Sequence, residues 1–156
     1  MEASEQSTSD LAKQAIQVCL CFHSRKGARA ITQVFDRALA PSGLKATQLS
    51  LLMVVGARQP IKIGALADAL VTDSTTVSRA IKPLLARNLL DIEQLSGDRR
   101  IKSLRLSSEG RRLLDLAMPL WQTAQTQVVR QLGNTTVQAL LPGLEAASRL
   151  GPANPD

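Results

Sequence analysis

The sequence predicts a mainly α-helical fold with one small β-hairpin, and three observations carry that reading. First, 44% of the residues are apolar, yet there are only two Phe, one Trp and no Tyr, so the core is aliphatic and suits packed helices. Second, Thr72-Asp73-Ser74-Thr75-Thr76-Val77-Ser78-Arg79-Ala80-Ile81-Lys82 reads as a helix with small hydroxyls at its start and cations on one side. Third, Ser96-Gly97-Asp98-Arg99-Arg100-Ile101-Lys102 is a basic turn between two short alternating runs. A slim helix followed by a cationic hairpin describes a winged helix-turn-helix, a shape made for the grooves of duplex DNA.

Taken in order, residues 1–9 read as a frayed tail, and Asp10 is a good N-cap for a helix reaching Leu39, with Gly27 loosening its middle and Pro41 and Gly43 ending it. Ile31, Val34, Phe35 and Ala38 keep the i, i+3, i+4, i+7 spacing. Thr47 is expected to cap a helix to Ala57 that has no polar face and is therefore buried all round, the central post of the domain. After Pro60, the run from Ile63 to Leu70 forms a short helix, Val71-Thr72 the turn, and Asp73 or Ser74 the next cap. In the following helix Val77, Ala80, Ile81, Leu84 and Leu85 fill one arc and Thr75, Arg79 and Lys82 the opposite one, with a kink expected at Pro83. Leu90 and Ile92, then Leu104 and Leu106, alternate with polar residues as two strands. Ser107 or Ser108 starts a long helix with a stripe of Leu113, Leu116, Ala117, Leu120, Trp121, Ala124 and Val128, bent at Pro119. A last helix over about 135–150 carries Val137, Leu140, Leu141 and Leu144, and 151–156 is a second tail. The expectation is one domain over 10–150: a winged module at 44–107 between outer helices, 10–40 and 108–150, whose apolar stripes a two-fold homodimer would bury.

At 156 residues the chain is sized for one domain. Its net charge of +6 and pI near 10.0 are the footprint of a nucleic-acid binder. No apolar run approaches a bilayer span, and the polar, acidic start is no secretory leader, so a cytoplasmic protein is expected. A single His leaves no Ser-His-Asp set, and neither a Gly-rich phosphate loop nor a metal-ligand cluster is visible. The chain reads as a non-enzyme without cofactor or metal.

The DNA contacts are assigned by size and charge. Ser74, Thr75, Thr76 and Ser78 are small enough to let the helix approach a groove floor, and their hydroxyls suit phosphates or base edges. Arg79 reaches toward a guanine and Lys82 toward a phosphate. Arg99 and Arg100, with Lys102, enter a neighbouring minor groove, where narrow A·T tracts attract arginine, while Asp98 orients an arginine. Such a helix alone also reads as a solvated face. The hairpin at this separation tips the reading to double-stranded DNA, a pseudo-palindrome whose half-sites lie one helical turn apart.

This order of motifs resembles the MarR family of bacterial transcriptional regulators. The carriers are Gly43-Leu44-Lys45-Ala46-Thr47-Gln48-Leu49, Ile63-Gly64-Ala65-Leu66-Ala67, Asp73 to Arg79, Gly97-Asp98-Arg99-Arg100 and Leu104-Arg105-Leu106-Ser107-Ser108-Glu109-Gly110. The resemblance implies a dimeric repressor released from DNA by a small ligand or an oxidant, with the family's Asp-x-Arg pattern making Arg100 the partner of Asp98. It also implies a pocket where the outer helices meet the winged module. There Phe22, Met53 and Trp121 supply apolar walls, and His23 or Arg25 a hold on an aromatic or anionic ligand. Leu20-Cys21-Phe22 is similar to the family's peroxide-sensing branch, which activates its thiol with tyrosines that this chain lacks.

Cys19 and Cys21 are the candidate sensing thiols; as small buried apolar groups they would be inert. Two positions along a helix turn about 200°, so a disulfide between them requires unwinding. His23 follows Cys19 by one turn and Arg25 follows Cys21. Two further readings stay open: a thiol-based redox protein using Cys19 and Cys21, and an architectural protein that binds DNA without sequence preference. The first departs from the Cys-x-x-Cys spacing of such enzymes, and the second needs no recognition helix.

Overall fold

The computed structural model describes residues 2–94 and 102–150, with only the backbone described for 2–6, 94 and 102. It is mainly helical with a three-stranded antiparallel sheet. By its internal contacts the chain divides into two compact units, Met1–Val34 and Phe35–Asp156.

The first unit is helical. Helix α1 (Glu2–Val18) starts inside the stretch expected as a tail, where Glu, Ala and Gln favour helix. Asp10 therefore caps nothing; it lies within the helix, where its Oδ1 accepts from Lys13 Nζ at 3.0 Å. The interruption falls at Cys19, not at Gly27, and α2 (Leu20–Leu39) follows it. The hydrogen-bond ladder runs on across that point, with Cys19 N donating to Ala15 O and His23 N to Cys19 O.

The second unit is built around α3 (Ala46–Arg58), whose Leu49, Leu51, Leu52 and Val55 are buried. Thr47 is not its cap. Asp36, near the end of α2, accepts from Ala46 N at 2.7 Å, and Gln48 Oε1 accepts from Lys45 N at 3.0 Å. Leu39 closes α2 fully buried. Gly56 lets α3 lie close to the rest: a Cβ there would come within 3.0 Å of Leu106 Cδ1 and 3.3 Å of Leu114 Cδ2.

Three strands frame the hairpin. Strand β1 (Ile61–Lys62), unforeseen in the sequence, pairs with β3 (Lys102–Leu106), which also pairs with β2 (Leu90–Gln94), in the order β1-β3-β2. The register sets Leu90 opposite Leu106, Ile92 opposite Leu104 and Ile61 opposite Leu104. Because β1 is so short, the Gln59 side chain continues its work, accepting from Leu106 N at 2.8 Å. Leu90, Leu104 and Leu106 are buried, whereas Ile92, nearer the hairpin tip, is exposed.

Helices α4 (Ile63–Ala69) and α5 (Ser74–Ala86) connect β1 to β2 along the chain. Helix α6 (Ser108–Leu132) and α7 (Asn134–Ser148) complete the unit. Both α5 and α6 continue through Pro83 and Pro119 as helix. Along α6, Ala117, Ala124 and Val128 are buried, but Leu116, at the margin of its stripe by helical rotation, is exposed. In α7 only Val137 is buried; Leu140, Leu141 and Leu144 face outward. Among the described residues no single helix is long and apolar enough to cross a membrane.

Candidate nucleic-acid interface

The helix-turn-helix is α4, the turn 70–73 and α5. Helix α4 ends on a Schellman motif: Thr72 N donates to Ala67 O at 3.0 Å and Val71 N to Asp68 O at 3.1 Å. The residue this motif places in the left-handed region is Val71, with φ of 52°. Glycine or asparagine is the usual occupant, since a β-branched side chain is strained there. Helix α5 ends the same way, with Leu89 N on Leu84 O at 2.9 Å and Asn88 N on Leu85 O at 2.9 Å. Its left-handed residue is Asn88, φ 54°, a type that tolerates the position.

Asp73 starts α5. Its Oδ1 accepts from Thr76 N at 2.8 Å and its Oδ2 from Thr76 Oγ1 at 2.6 Å. The Thr76 hydroxyl, then the Thr76 amide, hold this carboxyl below the usual carboxylate range, because both bonds favour the charged form. Ser74, Thr75, Thr76, Arg79 and Lys82 are exposed, Ser78 is half-buried, and Val77, Ile81 and Leu84 turn into the core. One face thus anchors the helix and the other presents hydroxyls and cations, the arrangement read from the spacing.

The hairpin stem lies beside it. Strands β2 and β3 pair through Gln94 opposite Lys102, the last described residues on either side of 95–101. Asp98, Arg99 and Arg100 lie outside the described residues, and Lys102 is placed by its backbone alone. The stem carries an ion pair not singled out from the sequence, Arg105 Nε to Glu93 Oε2 at 2.5 Å. Period-two alternation puts Asp91, Glu93 and Arg105 on one face, the one signal that could have found it.

The base of the stem is tied to α6 by a close approach at Leu89, and Arg111 Nη1 donates to Leu106 O at 3.0 Å. Ser107 caps α6, its Oγ accepting from Gly110 N at 2.9 Å and donating to Asn88 O at 2.5 Å. Ser107 N donates to Leu89 O at 3.2 Å. A Cβ on Gly110 would stand 2.0 Å from that same Leu89 oxygen, so only glycine fits. The Ser-Ser-Glu-Gly start of α6 is thereby explained by packing.

The candidate sensing and pocket residues fall in both units. Cys19 is half-buried and Cys21 exposed, both as free thiols. Cys19 Sγ accepts from Phe22 N at 3.4 Å, the place of an N-cap acceptor for α2. His23, one turn after Cys19, sets Nε2 against Gln17 O at 3.2 Å and its ring edge-on to Phe22 at 5.5 Å. Phe22, His23 and Arg25 belong to the first unit, and Met53 and Trp121 to the second, where both pack on the aliphatic core. An open groove runs along α6 between Pro119, Gln122, Thr123, Thr126, Gln127 and Arg130, none of them an expected pocket residue. Among the described residues no group of His, Cys, Asp or Glu is placed to hold a metal.

Known proteins share this arrangement. The model of the MarR family matches residues 42–101. The transcriptional regulator MosR of Mycobacterium tuberculosis, solved in complex with DNA, is 32% identical, with a TM-score of 0.73 over 85% of this chain and 97% of its own. CouR, a transcriptional repressor of Rhodococcus jostii RHA1 solved on a 23-mer duplex, is 23% identical with a TM-score of 0.78 over 86% and 95% of the two chains, a likeness of fold. The HTH-type transcriptional regulator YhjH of Bacillus subtilis strain 168 is 29% identical over 100 residues, 64% of this chain. The match spans only 57% of that relative's length.

Proposed function

The chain belongs to the MarR family of DNA-binding transcription regulators, and on that premise we propose that it is a homodimeric repressor seating two α5 helices on a pseudo-palindromic operator. The observation that carries this reading is the outward face of α5, where Ser74, Thr75, Thr76, Arg79 and Lys82 stand exposed on a helix anchored by Val77, Ile81 and Leu84. Arg79 reads a guanine edge and Lys82 a phosphate, while Arg99, Arg100 and Lys102 reach a minor groove and Asp98 orients Arg100. Support for pairing comes from exposed apolar side chains in each unit: Leu11, Ile16, Val18 and Leu20 in the first, Leu140, Leu141 and Leu144 in the second. A second copy would remove them from water.

Release by thiol oxidation is the regulatory reading favoured by the cysteines. A peroxide transfers one oxygen to the exposed Cys21 sulfur, giving a sulfenic acid and an alcohol or water. The Cys19 thiol then displaces water to form a disulfide. Closing that bond across about 200° of helical rotation unwinds the start of α2 and takes Cys19 Sγ from Phe22 N.

Footprinting on the DNA upstream of the chain's own gene tests both parts. Two protected half-sites about one turn apart are expected, lost on adding peroxide and restored by dithiothreitol, with the Cys21→Ser protein staying bound. Equal binding to random duplexes would make the chain an architectural protein. Peroxide release in the doubly substituted C19S/C21S protein would remove the thiols from the mechanism.

A further inference from the structure

Thr76 has one hydroxyl proton, and Asp73 holds it. The Thr76 Oγ1 to Asp73 Oδ2 distance is 2.6 Å, and a charged carboxylate only accepts, so the threonine is the donor. The second carboxylate oxygen is occupied by Thr76 N at 2.8 Å, which fixes the orientation of the pair. Both residues are exposed at the start of the helix assigned to the major groove. An unconstrained threonine hydroxyl reads donors and acceptors alike. Here the remaining lone pairs of Oγ1 can only accept.

We infer that Thr76 is a specificity-determining residue whose locked hydroxyl accepts from an exocyclic amine, adenine N6 or cytosine N4, and that Asp73 is the positioning residue that sets this polarity. The inference rests on the proposed seating of α5 in the groove. Phosphate oxygens offer no proton, so Thr76 cannot hydrogen-bond the backbone, and the adjacent Asp73 charge repels it further. Guanine and thymine present only acceptors in the major groove and are rejected by the same logic. The charged state of Asp73 persists at neutral pH, because its bonds to Thr76 hold the carboxyl below its ordinary range.

The test is selection of binding sites from a randomised duplex pool by the full-length protein and two variants. Wild type is expected to enrich adenine or cytosine at one position of each half-site. Thr76→Val keeps the shape and loses the acceptor, so that position should lose its preference, about fivefold in discrimination per half-site, while the rest of the site is kept. In Asp73→Asn the carbonyl must still face the Thr76 amide, which turns the amide NH₂ toward Oγ1 and frees the hydroxyl proton. With its proton free and one lone pair left, Oγ1 can donate or accept, so the preference at that position should relax to admit guanine or thymine. A merely structural cap would leave the preferred base unchanged. Rejection of guanine and thymine as strict in Asp73→Asn as in wild type, or a uniform loss across all sequences in Thr76→Val, overturns the inference. If wild type itself enriches no sequence, the operator-binding reading falls, and this assignment with it.

Discussion

Gly110→Ala should weaken the fold out of proportion to one methyl group. The new Cβ would stand 2.0 Å from Leu89 O, 2.9 Å from Leu89 C and 3.3 Å from Leu89 Cα. All three are backbone atoms and cannot rotate aside. A carbon–oxygen contact relaxes to about 3.3 Å, so Leu89 and the start of α6 must separate by roughly 1.3 Å. That movement stretches Gly110 N to Ser107 Oγ, Ser107 N to Leu89 O and Ser107 Oγ to Asn88 O together. Overpacking costs about 1–3 kcal/mol and a lost cap about 1 kcal/mol more. The expected loss is about 3 kcal/mol, or a melting temperature lower by about 10 °C for a chain of this size. Thermal unfolding followed by circular dichroism, at fixed protomer concentration, measures it. Ser107→Ala is the control: it removes the cap without a clash and should cost about 1 kcal/mol, some 3 °C. A Gly110→Ala protein no less stable than Ser107→Ala would refute the close approach.

Three further outcomes follow from the site. Val71→Asn relieves a β-branched residue at φ 52° and should raise the melting temperature by about 3 °C, whereas Asn88→Val imposes the same strain at φ 54° and should lower it; matching changes of one sign would remove the shared motif as the cause. The Asp73 carboxyl is held lower in the folded helix than in the unfolded chain, so its contribution is present above about pH 4 and fades as pH falls through the folded value. The melting difference between wild type and Asp73→Ala should therefore shrink in acid, and a difference constant from pH 6 to pH 3 would contradict it. Lys82→Ala should weaken binding to all duplexes alike and flatten the log–log salt dependence by about 0.9 per protomer, read by fluorescence anisotropy, and an unchanged slope would take Lys82 off the phosphate.

The helices and the outward face of α5 were legible because period and polarity agree. Val77, Ile81 and Leu84 are spaced to bury, and Thr75, Arg79 and Lys82 to face away. What escaped depends on contacts distant in sequence. Strand β1 has two residues and no period to detect, and it exists because β3 offers Leu104 and Ser103 a partner. The cap of α3 comes from Asp36, ten residues upstream, so Thr47 drew the assignment by composition alone. Met53 and Trp121 are apolar enough to line a cavity, and the same property packs them on the core, so their sequence alone does not separate the two roles. His23 sits one turn from Cys19 along the chain, yet its ring turns to Gln17 O, a choice that spacing does not encode.

The residues that look most generic turn out to set the geometry of reading. Helices α4 and α5 end on the same two-bond motif, so the turn between them and the step from α5 into the hairpin have fixed backbone paths. The second step continues through Leu89, whose carbonyl takes the Ser107 amide and meets Gly110. Recognition helix, hairpin stem and the start of α6 are thus joined through a few backbone atoms, with little slack between them. A displacement at α6 of the size worked out for Gly110→Ala would be passed to the base of the hairpin stem.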